Sequence, residues 1–415
     1  MMQINADRLE GFLRQFAEFG KTAGGGVTRL AASDEDKQAR DLFVELAQQA
    51  GCQVRVDAIG NIFARREGKN AQLSPVLTGS HGDSQPQGGR FDGIYGVLAG
   101  LEAFYSLNDH GIKTQRAIEL VMWTGEEGSR FNPAMLGSAV FSGALPLAQA
   151  LQSTDAQGLS LADELARIGY AGNSHNQLGP IHAAVEIHIE QGLVLENENA
   201  LIGVVTAAMG QKWYTVTLSG MAGHAGTTPM NLRQDALLGL AQAVTAVNHI
   251  GHAHGTDARA TVGRVHVAPN SPNVIAGHVV FTVEFRHPAQ DVLEAMDQAL
   301  HSALASIASE NKLEIAIKPV LSFAPIAFDR RVVEVIRNTA QQLAHVPRDM
   351  VSGAGHDACH LSKIAPTAMI FIPCIKGISH NELEDIKPQW SAAGAQMLLH
   401  TLVALANEPS DQFND

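Results

Sequence analysis

Three segments of this chain run through apolar residues and then stop on acids, histidines and glycines. SPVLTGSH ends at His81, AIELVMWTGEEGS reaches Glu126 and Glu127, and AAVEIHIEQG carries Glu186 and His188 to Gln191 and Gly192. Short apolar runs bounded by turn residues read as strands buried on both faces, the habit of a parallel sheet. Residues 5–20 and 35–50, the latter closed by Gly51, read as helices, as does GIYGVLAGLEAFYSL, whose early glycines allow close packing. CQVRVDAIGNIFARREG alternates like a hairpin turning at Gly60 and Asn61. Strands alternating with helices predict an α/β domain with many parallel strands. In such sheets ligands bind beyond the carboxyl ends of the strands, which is where the polar clusters fall.

The pattern changes near Gly210. QKWYTVTLSG alternates with period two, the helix LRQDALLGLAQAVTAVNHI follows, then ATVGRVHVAPN, HVVFTVEFRH, a helix around DVLEAMDQALHSALASIASEN, and KLEIAIKPVLS. The order β, α, β, β, α, β is that of a split βαβ, ferredoxin-like module. The chain then returns to the first pattern with VVEVIRNTAQQL, the loop SGAGHDA, the strand PTAMIFIP and the segment GISHNELED. Residues 1–210 and 328–415 are therefore expected to form one domain, interrupted by an inserted α+β domain at 211–327. A chain of 415 residues suits two cores.

Charge and cysteine usage remove several functions. The formal net charge of −13 argues against nucleic acid, which requires clustered Lys and Arg. It leaves room for an anionic substrate, because one Arg can dominate a pocket. Cys52, Cys359 and Cys374 are odd in number and widely spaced, so they suggest neither a disulfide framework nor a thiolate zinc site. The start MMQINADRLEGFLRQF is amphipathic and carries acids, unlike a signal peptide, and no apolar stretch reaches the ~18 residues of a membrane span. The expected setting is the cytoplasm.

The chain has 18 histidines, and what matters is which of them meet carboxylates at strand ends. The clusters are His81-Gly82-Asp83, Gly88-Gly89-Arg90-Phe91-Asp92-Gly93, Glu126-Glu127, Glu186-Ile187-His188 and Ile378-Ser379-His380. Taken singly, each is ordinary: a surface pair, a solvated helix start, an exposed strand edge. Together, histidines and carboxylates without cysteine suit Zn2+ or Mn2+ in a reactive rather than a structural site. A two-ion site needs a bridging carboxylate, and Asp92 fits, since its glycine flanks let backbone approach closely.

The segments TGSHGDSQPQGGRFDGIYGVLAGLEA, EEGSRFNPAMLGS, HIEQGLVLE, AGHAGTTPMNLRQDAL, SGAGHDA and GISHNELED resemble the amidase, hydantoinase/carbamoylase family of dinuclear-metal, aminopeptidase-like hydrolases. The resemblance runs from about residue 25 to residue 385. It implies a mixed-sheet catalytic domain and an inserted lid and dimerisation domain. It places one divalent ion on His81 and His188 and a second on Glu127 and His380, with Asp92 between them. Glu126 matches the general base, and Asp83 the acid that holds the first histidine. Two departures are Gly82, where many relatives carry a larger residue, and NELED after His380, where relatives often show Asn-Pro.

The same resemblance gives His224 the role of oxyanion support and sets Asn273 and Arg286 on a substrate carboxylate, with Gln191 and Gly355 as further substrate contacts. An Arg offers a forked, charge-assisted hold on a carboxylate. Without the resemblance, Arg286 would read as a solvated strand end and Asn273 as a turn residue. The implied activity is hydrolysis of a ureido carboxylate, first an N-carbamoyl-L-amino acid, with allantoate or ureidoglycolate as the alternative. An aminopeptidase or aminoacylase is the rival enzyme class. A scaffold with a decayed site is the non-enzymatic rival, and it would need a missing base or ligand. The implied assembly is a homodimer through the inserted domain, to which HVVFTVEF and QKWYTVTL would offer an edge or face.

Overall fold

The structure, a computed structural model, describes residues 2–173 and 179–409. The chain forms two compact units, Met1–Thr206 with Phe328–Asp415, and Ala207–Ala327. The second unit thus begins a few residues before the break in pattern at Gly210.

The first unit is built on a mixed sheet in the order Gln53–Val56, Ile62–Arg66, Ile118–Trp123, Val76–His81, Ala183–Ile189, Thr367–Ile372 and Gly203–Ala208. The four strands from Ile118–Trp123 to Thr367–Ile372 run parallel. Ile62–Arg66 and Gly203–Ala208 flank them antiparallel. Every residue of the four parallel strands is buried, which explains their unbroken apolar character. One face carries the helix Ile94–Asp109, where Gly100 leaves room for Leu120. On the opposite face Leu77, Val121, Trp123, Ala184 and Phe63 pack with Leu361. Because the four strands share a direction, His81, the Glu126-Glu127 turn and His188 emerge at one edge of the sheet. His188 is therefore no exposed strand edge: its strand is central and its side chain is 1% exposed.

The second unit is an antiparallel sheet in the order Val265–Ala268, His278–His287, Gly210–Ser219 and Glu314–Phe323, with Arg259–Thr261 also pairing His278–His287. The helices Ala236–Ala253 and Gln290–Asn311 pack against it. Tyr214, Val216, Leu218, Val279, Phe281, Val283 and Phe285 form its core with Ala243, Val247, Met296, Leu300 and Leu304. The segment read as one strand, ATVGRVHVAPN, is two short strands, Arg259–Thr261 and Val265–Ala268. HVVFTVEF and QKWYTVTL pair with each other in the middle of the sheet and spend their apolar faces on its helices, so neither offers a free edge. The exposed apolar side chains of this unit include Leu237, Leu238 and Val244 of the helix Ala236–Ala253. Among the described residues no helix is long and apolar enough to cross a membrane. The three cysteines are free and buried.

Candidate active site

Five donors converge at the carboxyl edge of the first unit's sheet. His81, Asp92 and His188 form one set of atoms within 4.8 Å of one another, and Asp92, Glu127 and His380 form a second. Asp92 belongs to both and divides its oxygens between them. Its Oδ1 lies 3.1 Å from His188 Nε2 and 3.7 Å from His81 Nε2, and its Oδ2 lies 3.3 Å from His380 Nε2. Glu127 Oε2 is 3.4 Å from the same His380 nitrogen. Gly93 makes this approach possible: a Cβ there would sit 2.3 Å from the His81 ring, and its φ is +66°.

Hydrogen bonds aim the two buried histidines. His81 Nδ1 donates to the main-chain oxygen of Asp83 at 2.9 Å, and His188 Nδ1 to that of Ile189 at 2.9 Å. Each ring therefore turns Nε2 toward Asp92, the orientation a metal ligand needs. The Asp83 carboxylate lies 3.8 Å from His81 Nδ1 and also accepts the backbone N–H groups of Glu126, at 3.1 Å, and Glu127, at 3.3 Å. The ring meets the Asp83 carbonyl because the turn after the strand directs that oxygen back at it. Asp83 thus orders the Glu126-Glu127 turn, and its neighbour Gly82 faces Met122, whose sulfur would lie 3.0 Å from an added Cβ.

Burial and crowding shift the titration of the cluster. Burial, then Asp357 and Glu127, raise the Glu126 carboxyl well above its ordinary range. Burial and Asp92 push Glu127 up to about 8. Burial opposes charge on His188, but the hydrogen bond to Asp92 and the charges of Asp92 and Glu186 carry it up to about 9. The Asp92 hydrogen bond likewise lifts His380 to about 9. Imidazole nitrogens and carboxylate oxygens gathered this closely form two sets of donors that could each hold a metal ion. Glu126 is buried beside the donors, with Oε2 at 3.5 Å from His81 Nε2.

The remaining candidates fall in separate places. Gln191, at a φ of +56°, directs its amide to Asp92 Oδ2 at 2.9 Å and to Ser379 Oγ at 3.0 Å. Gly355 lies against Met135, and the adjacent His356 packs edge-on to His188 and contacts Ser352 Oγ at 2.9 Å. In the second unit, His224 pairs across a two-stranded ladder with Val274, and Ala225 N–H donates to the Asn273 carbonyl, so His224 and Asn273 adjoin. Arg286 sits near the end of His278–His287, opposite Gln211, with its guanidinium on Glu284. Sequence reasoning missed Gln85, which binds Glu127 through its backbone N–H and side-chain amide at 3.1 and 2.7 Å, and Glu384. Neither belongs to a ligand-type pattern.

A family model described as Peptidase family M20/M25/M40 matches residues 77–404. An N-carbamoyl-L-amino-acid amidohydrolase from Rhizobium meliloti is 43% identical over 404 residues, covering 97% of each chain. A ureidoglycolate hydrolase from Arabidopsis thaliana is 33% identical, covering 98% of this chain and 87% of that protein. Among solved structures, an amidase of the hydantoinase/carbamoylase family from Burkholderia multivorans is 53% identical with a TM-score of 0.94, covering 98% of this chain and 99% of that one. The chain belongs to peptidase family M20/M25/M40, in its hydantoinase/carbamoylase amidase branch.

Proposed function

We propose that this protein is a metal-dependent amidohydrolase that converts an N-carbamoyl-L-amino acid to the amino acid, ammonia and carbon dioxide. The observation that carries this reading is the full-length relation to the Rhizobium meliloti amidohydrolase in a chain whose five donors and Glu126 stand together. Two divalent ions, Zn2+ or Mn2+, on the sets sharing Asp92 would polarise the ureido carbonyl and lower the pKa of water. Glu126 accepts a proton from the attacking water and returns it to the leaving nitrogen. Asp83 keeps Glu126 and Glu127 in register by holding their backbone N–H groups. His224 donates to the carbonyl oxygen as negative charge gathers there. Asn273 and Arg286 hold the substrate carboxylate, Gln191 steadies Asp92, and the Gly355 loop lines the substrate's path.

The second unit is the substrate-binding and dimerising element in this reading. The exposed Leu237, Leu238 and Val244 supply an apolar surface for a homodimer. Three buried, unpaired cysteines fit a cytoplasmic enzyme. A second reading, hydrolysis of ureidoglycolate or the related ureide allantoate, is favoured by the Arabidopsis thaliana relative. Purified enzyme with added Zn2+ or Mn2+, assayed for ammonia release, separates them. Carbamoyl amino acids as the best substrates support the first reading, ureidoglycolate or allantoate the second. Turnover of dipeptides or N-acyl amino acids alone refutes both.

A further inference from the structure

Glu384 is 2% exposed and lies in the segment that also carries His380. Its Oε1 accepts the backbone N–H groups of Phe91, at 2.9 Å, and Asp92, at 3.0 Å. Its Oε2 meets Ser379 Oγ at 2.9 Å, and that hydroxyl is also 3.0 Å from Asp92 Oδ2. A hydroxyl has one proton and cannot serve both carboxylates at once. The Gln191 amide, at 2.9 Å from Asp92 Oδ2 and 3.0 Å from Ser379 Oγ, supplies the further donors. Glycine at position 89 is what admits the Glu384 side chain, since a Cβ there would fall 1.9 Å from its Cδ. A solvated surface acid has no need of such a neighbour.

We propose that Glu384 is a positioning residue for the two-ion centre: it joins the loop bearing Asp92 to the segment bearing His380, and so sets the second ligand set. The first set needs only strands and the Asp92 loop, because His81 and His188 stand on adjacent parallel strands. The second set needs His380, which lies on a separate segment and reaches Asp92 from a φ of +54°. Without the Glu384 bridge, the first set keeps two of its three members fixed by the sheet, while the second loses the tie between Asp92 and His380. The effect is therefore selective, which loss of a general packing residue would not be.

This inference rests on the two-ion reading, and one titration distinguishes the two. Metal-depleted wild type, Glu384→Ala and Glu384→Gln are titrated with Zn2+ against a chromophoric chelator, with unfolding midpoints measured alongside. Wild type should take two equivalents per chain. Glu384→Ala should bind the first within about threefold of wild type and the second at least about tenfold more weakly. Glu384→Gln should restore the second, because a glutamine oxygen accepts both N–H groups and its amide donates to Ser379. Wild type taking one equivalent overturns the two-ion reading and this inference with it. Two equivalents in wild type overturn this inference alone if Glu384→Ala keeps both affinities, if it weakens both equally, or if Glu384→Gln fails to restore the second.

Discussion

Glu126→Gln should separate chemistry from construction. The side chain is buried, and the turn that carries it is held through its backbone, by the Asp83 carboxylate on the N–H groups of residues 126 and 127. Glutamine keeps both those bonds and the side-chain volume. It also removes a carboxylate that burial, Asp357 and Glu127 already resist charging, so the unfolding midpoint should hold or rise. The five donors are untouched, and two ions per chain should remain. The amide cannot take a proton from water, and loss of a general base costs about 10²–10⁴ in rate, roughly 2.7–5.5 kcal/mol of barrier. Steady-state ammonia release should therefore show kcat down by two to four decades with KM little changed, in protein of normal metal content. Turnover within about fivefold of wild type, with the metal in place, would refute the assignment of Glu126.

Arg286→Ala should raise KM for carboxylate substrates and leave metal content intact. The loss of one charge-assisted pair costs roughly 1.5–3 kcal/mol, about one to two decades in kcat/KM, and unchanged kinetics would remove the anchor. The mass by light scattering should be twice the 44.1 kDa of one chain, and Leu238→Glu should lower it; a monomer of full activity contradicts the dimer. His360 is buried and held neutral, pushed down to about 4 by burial and then by Lys363. The unfolded chain binds its proton near pH 6.5, so this contribution to stability is complete above that pH and declines as pH falls toward 4. By pH 5 about 2 kcal/mol of it is lost, and urea midpoints of His360→Phe should fall less between pH 7 and pH 5 than those of wild type. Parallel curves for the two proteins would contradict it.

The parts of this site that could be read from the sequence are those fixed by burial. Val76–His81, Ile118–Trp123 and Ala183–Ile189 are apolar because both faces of the sheet are covered, and a polar residue at the end of such a strand stands out. The strand Gly203–Ala208 was missed because LIGVVTAAMG runs without a turn into the next strand, Gly210–Ser219. The helices Leu136–Phe141 and Leu147–Leu151 are too short to show a period. The hold of Asp83 on the N–H groups of residues 126 and 127 joins two distant segments and has no signal in the sequence. Glu384 was overlooked because an acid in NELED looks like a solvated loop residue until Gly89 and the N–H groups at 91 and 92 are seen around it. The apolar alternation of QKWYTVTL and HVVFTVEF says that one face is buried, but not whether helices of the same unit or another subunit bury it.

In the proposed centre Asp92 joins two ions, one on His81 and His188 and the other on Glu127 and His380. Crystals of metal-replete enzyme, with ions added back after purification, test it by anomalous scattering at the zinc or manganese edge. Two peaks per chain are expected, about 3.5–4 Å apart, with one oxygen of Asp92 on each. A single fully occupied peak, or two peaks with Asp92 bound to only one of them, would contradict it.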